Sequence, residues 1–171
     1  MLNFFKLKLY FLDEDYINFL RQFYSKVFCN KNQTRPYVGV VYTFDNLNYF
    51  ALLSLPKPKH LKMSNKAIDI FKIDDGKHGI VNINNMIPVP IECLTEVLPL
   101  IKDDEKYRHL VENQTTFINN NKQRLFKKIK RFVLQYRKGY LPINIKNCCC
   151  NFVLLEEKSK DYIKVDSLNK V

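Results

Sequence analysis

The chain has 171 residues, of which 46% are hydrophobic and 13% aromatic. This composition excludes an intrinsically disordered protein and predicts one folded domain over residues 1–171. Lysine and arginine outnumber aspartate and glutamate by 28 to 17, a net charge of +11, which favours a polyanionic partner, either nucleic acid or an anionic membrane surface. No uncharged apolar run is long enough to span a bilayer, so no membrane span is predicted.

The N-terminal residues predict a cytoplasmic location. Met1 to Leu12 are apolar but interrupted by Lys6 and Lys8, and they lack a small-residue cleavage site, so a signal peptide is not expected. The five cysteines agree with this location, because their number is odd, the run 148–150 is adjacent and no C-x-x-C pair occurs. We therefore expect buried thiols, with neither disulfides nor a metal site.

Patterning in the first third of the chain predicts a strand, a helix and a hairpin. Alternating residues from Phe4 to Leu12 predict a strand, and aromatic residues at helical spacing after Asp13 predict an amphipathic helix to about Phe28. A polar loop over Cys29 to Thr34 leads into a hairpin, with strands at Tyr37 to Phe44 and Tyr49 to Leu53.

The hairpin is followed by a proline-rich stretch, Leu53 to His60, which we interpret as a stiff loop because neither proline can donate to a sheet. Ala67 to Ile73 and Gly79 to Ile83 predict a second hairpin. Met86 to Ile91 contains Pro88 and Pro90, so it is expected to be an edge strand or an extended link.

The remaining third is predicted to be mainly helical. One helix should begin at Asp103 and run to about Asn119, and a second should run from Lys122 to Lys138, with Gly139 as its stop. Residues 147–156 are apolar and predict a strand or a short helix, and a polar tail is expected to fray from about residue 159. Strands followed by helices predict an α+β fold.

The second of these helices is the strongest indication of a partner. All of its charged residues are basic: Lys122, Arg124, Lys127, Lys128, Lys130, Arg131, Arg137 and Lys138. These like charges repel one another, which costs stability. We therefore favour a helix that binds phosphates and releases their counterions over a helix face that is merely solvated. Three functions stay open at this point: a ribonuclease, an RNA-binding module without chemistry, and a peripheral protein that lays this helix on anionic lipid.

The proline-rich stretch offers groups that could act on RNA. The 2′-hydroxyl of RNA can serve as its own nucleophile, so the protein must orient it, stabilise charge on the phosphorane and protonate the leaving 5′-oxygen. Ser54, Lys57 and Arg35 suit those tasks chemically, although spacing alone does not show that they converge. The histidines are too scattered to predict a metal site, so no metal or cofactor is expected.

The chain resembles the ToxN/AbiQ family of endoribonuclease toxins from type III toxin–antitoxin and abortive-infection systems. The segments that carry the resemblance are Asp15–Ile17, Arg35–Val40, Leu53–Lys57, Pro58–Lys62, Gly79–Ile83, Met86–Pro88, Gln114–Ile118 and Cys150–Lys158. They follow one another over nearly the whole chain, and their number and order make the match specific. One position departs from the pattern, because Leu55 stands where the family usually has a serine.

The resemblance implies a compact, antiparallel β-barrel-like core with added helices, similar to the Kid/MazF toxins. It also implies metal-independent cleavage that leaves a 2′,3′-cyclic phosphate. The expected partners are cellular or phage RNA and a small pseudoknot RNA antitoxin, which the toxin cuts from tandem repeats and with which it forms a ring-like complex. The expected setting is phage defence in the cytoplasm.

By position, the resemblance implies catalytic roles for Lys57, Ser54, Arg35 and Tyr16. The residues expected to contact RNA are Lys59, His60, Lys62, Gln114, Lys122, Arg124, Lys127, Lys128, Lys130 and Arg131.

Overall fold

A computed structural model of the chain describes residues 6–29 and 34–162. Within these ranges, six strands form one antiparallel sheet in the order β4-β5-β3-β2-β1-β6. The strands are β1 (Lys8–Leu12), β2 (Tyr37–Phe44), β3 (Leu47–Ser54), β4 (Ile70–Lys72), β5 (Ile80–Pro88) and β6 (Leu94–Glu96).

Helices cover the sheet and supply much of the core. They are α1 (Glu14–Phe23), α2 (Pro58–Lys62), α3 (Val97–Leu100), α4 (Glu105–Asn120), α5 (Lys122–Arg137), α6 (Ile143–Cys148) and α7 (Phe152–Asp161). Helix α5 packs against β2, α7 packs against β5 and α1 contacts α7. The apolar stripe of α5 (Leu125, Ile129, Phe132 and Val133) is buried in this core, as its helical spacing predicts. In the described part of the chain, no helix combines the length and the apolar character that a membrane crossing requires.

The α+β class is confirmed, whereas a barrel-like core similar to the Kid/MazF toxins is not. The strand order is linear, with β4 at one end and β6 at the other. Each of these end strands has three residues, and each pairs with one neighbour in the described part of the chain. The sheet is therefore open, and helices rather than further strand pairing complete the core.

The two predicted hairpins are present, and β2 has the predicted bounds. The predicted edge strand at Met86 to Ile91 differs, because β5 continues through Pro88 in the middle of the sheet. Proline is tolerated there because β4 pairs only with Ile80–Asn82, so Pro88 has β3 on one side and no described strand on the other. Helix α1 ends at Phe23 rather than at about Phe28, since Tyr24 takes an extended conformation at its C-cap.

Other differences lie in the proline-rich stretch and at the C-terminus. A short helix, α2, begins at Pro58, a residue type that suits the first helical position. Residues 147–156, predicted as a strand or a short helix, hold the end of α6 and the first half of α7. Helix α7 then carries the start of the predicted polar tail in helical form to Asp161. Three predicted features lie partly outside the described residues: the tail from residue 163 onwards, the start of the first strand before residue 6, and positions 30–33 of the predicted loop.

Candidate active site and nucleic-acid surface

A pocket of about 270 Å³ lies where β2 begins and β3 ends. Its lining residues are Phe28, Thr34, Arg35, Pro36, Leu52, Leu53, Ser54, Leu55, Lys57 and Asn82; we call it the Ser54–Lys57 pocket. Hairpin geometry explains its position. Tyr37 pairs with Leu52, and the Leu53 N–H donates to the Pro36 carbonyl at 2.9 Å, so the residue before Pro36 lies beside the end of β3.

Asn82 holds the hydroxyl of Ser54 from the neighbouring strand. The side-chain amide of Asn82 donates to Ser54 Oγ at 2.9 Å and to the Leu52 carbonyl at 3.0 Å. Because Ser54 Oγ accepts this bond, its own proton can be directed elsewhere, and a phosphate oxygen in the pocket is a suitable acceptor. Asn82 is a site residue that the sequence analysis missed; its signal was a polar residue between the apolar Val81 and Ile83.

Lys57 is exposed at the N-cap of α2, and both its backbone N–H and its backbone carbonyl form hydrogen bonds with His60. The Lys57 N–H donates to His60 Nδ1 at 3.2 Å, and the Lys57 carbonyl accepts from the His60 N–H at 2.9 Å. His60 itself is 1% exposed. The imidazole is therefore turned inwards as part of the helix cap, and not towards the surface where the predicted RNA contact would be made.

Arg35 completes the positive side of the pocket. Its guanidinium lies over the ring of Phe28, 4.9 Å from the ring centroid, a cation–π contact that orients the side chain while leaving its charge in place. Leu55, at 38% exposure, lines the same pocket at the position where the family usually has a serine. The structure thus brings Arg35, Ser54 and Lys57 together.

Tyr16, the fourth predicted catalytic residue, does not line this pocket. It faces inwards from α1 and is 0% exposed. Its hydroxyl donates to the Pro88 carbonyl at 2.6 Å and lies 3.0 Å from Ser159 Oγ. Burial raises the pKa of this hydroxyl, which keeps it protonated. In this structure Tyr16 ties α1 to β5 and α7 and has no access to a substrate.

A second concave surface runs along α5. It is a groove of about 590 Å³ lined by Asn65, Lys66, Ile68, Phe71, Lys72, Asp75, Phe117, Arg124, Lys128, Arg131 and Phe132; we call it the α5 groove. Five of these residues are basic (Lys66, Lys72, Arg124, Lys128 and Arg131) and Asp75 is the acidic one. The cations of this groove suit the phosphate backbone of a nucleic acid. Two of its three phenylalanines, Phe71 and Phe132, are buried, and Phe117 is partly exposed.

The predicted RNA-contacting residues divide between this groove and other places. Arg124, Lys128 and Arg131 line it, and burial together with Arg124 lowers the pKa of Lys128 against the opposing effect of Asp69. The other basic residues predicted here do not line it: Lys122, Lys127 and Lys130 on α5, and Lys59 and Lys62 on α2. All of these are exposed except Lys122, which is half-buried.

Gln114, predicted as an RNA contact, faces the interior in this structure. The side chain is 0% exposed, and its amide donates to the His78 carbonyl at 2.8 Å. Gln114 therefore fixes the turn between β4 and β5 onto α4. The sequence analysis also missed Lys66 and Lys72 of the α5 groove, because they belong to a loop and a strand that are distant in sequence from the basic helix.

The chain is similar to known proteins over nearly its whole length. Residues 8–160 match the family model for toxin ToxN of the type III toxin–antitoxin system. Endoribonuclease ToxN of Bacillus thuringiensis subsp. kurstaki is 31% identical over 167 aligned residues, which cover 93% of this chain and 86% of that relative.

Two solved structures share the fold. One, from work on selective toxin inhibition by a non-coding RNA pseudoknot, matches with a TM-score of 0.74 at 28% identity, covering 92% of this chain and 98% of that chain. The other, from work on a processed non-coding RNA that regulates a bacterial antiviral system, matches with a TM-score of 0.77 at 25% identity, covering 92% and 99%.

Proposed function

The chain belongs to the ToxN family of type III toxin–antitoxin systems, and from that membership we propose that it is a metal-independent endoribonuclease that cleaves RNA to leave a 2′,3′-cyclic phosphate. The observation that carries the chemical part of the proposal is the convergence of Arg35, Ser54 and Lys57 on one pocket from separate segments of the chain. Two cations and an oriented hydroxyl are what a phosphoryl-transfer site needs where negative charge develops.

The reaction begins when the 2′-hydroxyl of the substrate gives up its proton to solvent water and its oxygen attacks the adjacent phosphorus. The hydroxyl of Ser54, which is held by Asn82, donates a hydrogen bond to a non-bridging oxygen and so fixes the phosphate. Arg35 and Lys57 stabilise the negative charge that accumulates on the phosphorane. As the bond to the 5′-oxygen breaks, the Lys57 ammonium group can supply the proton that the leaving oxygen needs. The products are a 2′,3′-cyclic phosphate and a 5′-hydroxyl.

The donors that line the Ser54–Lys57 pocket support the metal-independent part of the proposal. Magnesium in such sites is held by carboxylates, whereas the described lining of the Ser54–Lys57 pocket contains no carboxylate and no imidazole. Elsewhere in residues 6–29 and 34–162, no three histidine, cysteine, aspartate or glutamate side chains cluster closely enough to hold a metal ion. Cationic side chains take the place that a metal would have.

The α5 groove would hold the longer RNA partner. The related structure concerns a toxin that is inhibited by a non-coding RNA pseudoknot, and we propose a pseudoknot RNA antitoxin, cut by the enzyme from a repeat precursor, as the ligand here. We also propose that copies of the toxin and the RNA close into a ring-like complex. A role in phage defence, acting on cellular or phage RNA in the cytoplasm, is in keeping with the antiviral system of the other related structure.

The test uses the purified full chain, a labelled RNA and an excess of EDTA. We expect cleavage with EDTA present, products ending in a 2′,3′-cyclic phosphate by mass spectrometry, and loss of cleavage in Lys57→Ala. Lys106→Ala is the matched control, because it removes an exposed lysine of α4 that lines neither the Ser54–Lys57 pocket nor the α5 groove, and it should cleave at nearly the wild-type rate.

The alternative is an RNA-binding module without chemistry, which would use the same α5 groove. Wild-type protein that binds RNA without cutting it would favour this alternative. Cleavage that persists unchanged in Lys57→Ala would show that the chemistry lies elsewhere.

A further inference from the structure

Helix α2 is short, yet it is fixed to the body of the protein at both ends. At its N-terminus the ring of His60 accepts a hydrogen bond from the Lys57 N–H at 3.2 Å. At its C-terminus Lys72 Nζ donates to the carbonyls of Leu61 at 3.1 Å and Met63 at 3.0 Å. These bonds satisfy backbone groups that the ends of a helix leave without partners.

Close packing behind His60 prevents this helix from shifting as a unit. Gly76 has a φ of +93°, and a Cβ added there would lie 2.6 Å from the His60 carbonyl oxygen. With the side chain 1% exposed, His60 is enclosed on the side away from the solvent. The position of Lys57 is therefore determined by a buried residue three positions further along the chain.

The bond to Lys57 specifies the protonation state of His60. A ring nitrogen accepts a hydrogen bond only through a free lone pair, so Nδ1 is unprotonated and the proton of the neutral ring is on Nε2. Protonation of Nδ1 would set a donor against the Lys57 N–H and would break the cap. Burial lowers the pKa of His60 from the ordinary value of 6.5, and so do the nearby cations Lys59, Lys57 and Lys72.

Acidic groups near this helix do not offset those cations. The turn that packs against α2 carries Asp74 and Asp75. Asp74 lies 3.7 Å from Lys77 Nζ and 3.8 Å from His78 Nδ1, so its charge is directed at its own turn. The ring of His60 is therefore neutral at pH 7 and the cap is intact there.

From this geometry we propose that His60 is a positioning residue for Lys57: its neutral imidazole fixes the backbone that presents the lysine to the scissile phosphate. The proposal rests on the proposed ribonuclease function for its kinetic consequence, but the hydrogen bond itself can be tested without any substrate. It replaces the RNA contact that the sequence predicts for His60 with a role beneath the surface.

Substitution of His60 by each of two neutral amides, asparagine and glutamine, distinguishes a role as hydrogen-bond acceptor from a role in packing alone. In His60→Asn the side-chain oxygen takes the place of Nδ1, whereas in His60→Gln it lies one bond further out. If His60 positions Lys57 through Nδ1, kcat of His60→Asn stays within about threefold of wild type and kcat of His60→Gln falls roughly 10- to 100-fold, since a small misplacement of a catalytic group costs this much. If His60 only fills space, the larger glutamine is the better substitute, and this reversed order would overturn the proposal.

The pH profile supplies a second kinetic readout. The wild-type kcat should fall as the pH drops below 6.5, the ordinary pKa of histidine, because the lowered pKa of His60 puts its protonation on the acid side of that value. His60→Asn has no group to protonate, so its profile should lack this acid limb. An identical acid limb in wild type and His60→Asn would contradict the assignment to His60.

A substrate-free measurement keeps this inference separate from the proposed function. Long-range ¹H–¹⁵N spectra of the full chain should show His60 with Nδ1 unprotonated and Nε2 protonated, and the amide of Lys57 should shift as His60 titrates. A proton on Nδ1 at pH 7 would refute the positioning role even if the protein cleaves RNA. The expected tautomer in a protein without cleavage activity would refute the ribonuclease while leaving the cap established.

Discussion

Asn82 offers the sharpest test of the Ser54–Lys57 pocket, because its side-chain amide donates two hydrogen bonds. One substitution can delete this donor, and another can replace it with an acceptor. Asn82→Ala deletes the donor to Ser54 Oγ and to the Leu52 carbonyl. At a net value of about 1 kcal/mol for each hydrogen bond, the free energy of unfolding should fall by about 2 kcal/mol. The hydroxyl of Ser54 then rotates freely, and the cleavage rate should drop by about tenfold.

Asn82→Asp keeps the shape but reverses the polarity. The introduced carboxylate cannot donate to Ser54, so the serine proton turns towards it and away from the phosphate. Ser54 Oγ lies 2.9 Å from Asn82 Nδ2, so a phosphate bonded to Ser54 would lie about 5 Å from the new charge, and at an effective dielectric constant of about 20 the repulsion is about 3 kcal/mol. An additional loss of roughly 100-fold over Asn82→Ala is expected.

The assay is single-turnover cleavage of a short labelled RNA at saturating protein, with stability followed by urea denaturation. Asn85→Ala is the matched control, because Asn85 lies on the same strand and bonds to Asn84 at 3.2 Å outside the pocket. Equal rates for Asn82→Ala and Asn82→Asp would refute the assignment of the phosphate to Ser54.

Three further predictions follow from contacts elsewhere in the structure. Arg137→Ala should lower the free energy of unfolding by about 3 kcal/mol in urea, because it leaves the carboxylate of Glu156, 8% exposed, without its cationic partner. Removing Arg124 and Arg131 together should weaken RNA binding and reduce the slope of log Kd against log salt by about 2 in fluorescence anisotropy, since each arginine accounts for about one phosphate contact. Gly76→Ala should lower the melting temperature and the cleavage rate together, because the added Cβ would meet the His60 carbonyl at 2.6 Å.

Each of these predictions has a control within the chain. Lys138→Ala removes the exposed cation next to Arg137 and should leave stability within about 0.5 kcal/mol. Replacing Lys127 and Lys130 removes the same charge from α5 outside the groove. An equal loss of affinity would indicate that the overall positive charge of α5 attracts the RNA, rather than contacts within the groove. Gly139 also has a positive φ, at +72°, but with nothing within 4 Å of an added Cβ; if Gly139→Ala is as harmful as Gly76→Ala, backbone strain rather than the clash is responsible.

Predictions from the sequence were most reliable where a pattern is local. The β-branched and aromatic run of β2 and the apolar stripe of α5 each depend on neighbouring residues, and both elements appear with nearly the predicted bounds. The N-terminal helix was predicted too long because aromatic spacing continues past Phe23, while the chain turns at Tyr24. Helix α2 was missed because two prolines suggest a loop, although one of them occupies a position that starts a helix.

The candidate site was predicted in part for the same reason. Ser54 and Lys57 are close in sequence, and the hairpin register brings Arg35 to them. Tyr16, His60 and Gln114 have side chains suited to a surface role, but each is buried with a specific hydrogen-bond partner. Residue type predicts what a side chain can do, whereas its exposure depends on elements that pack against it from elsewhere in the chain.

By itself, then, the sequence determined the α+β class and the basic helix, because these depend on composition and on short-range order. Its resemblance to one family over nearly the whole chain is confirmed by the family match. The sequence also predicted Ser54 and Lys57 as a pair, since they lie three positions apart. Only the tertiary structure decided that the sheet is open, that Asn82 holds Ser54 and that His60 lies beneath Lys57 rather than facing RNA. The physical reason is that strand pairing and burial join residues far apart in sequence. A hydrogen bond from β5 to the end of β3 spans 28 positions, and no local pattern records it.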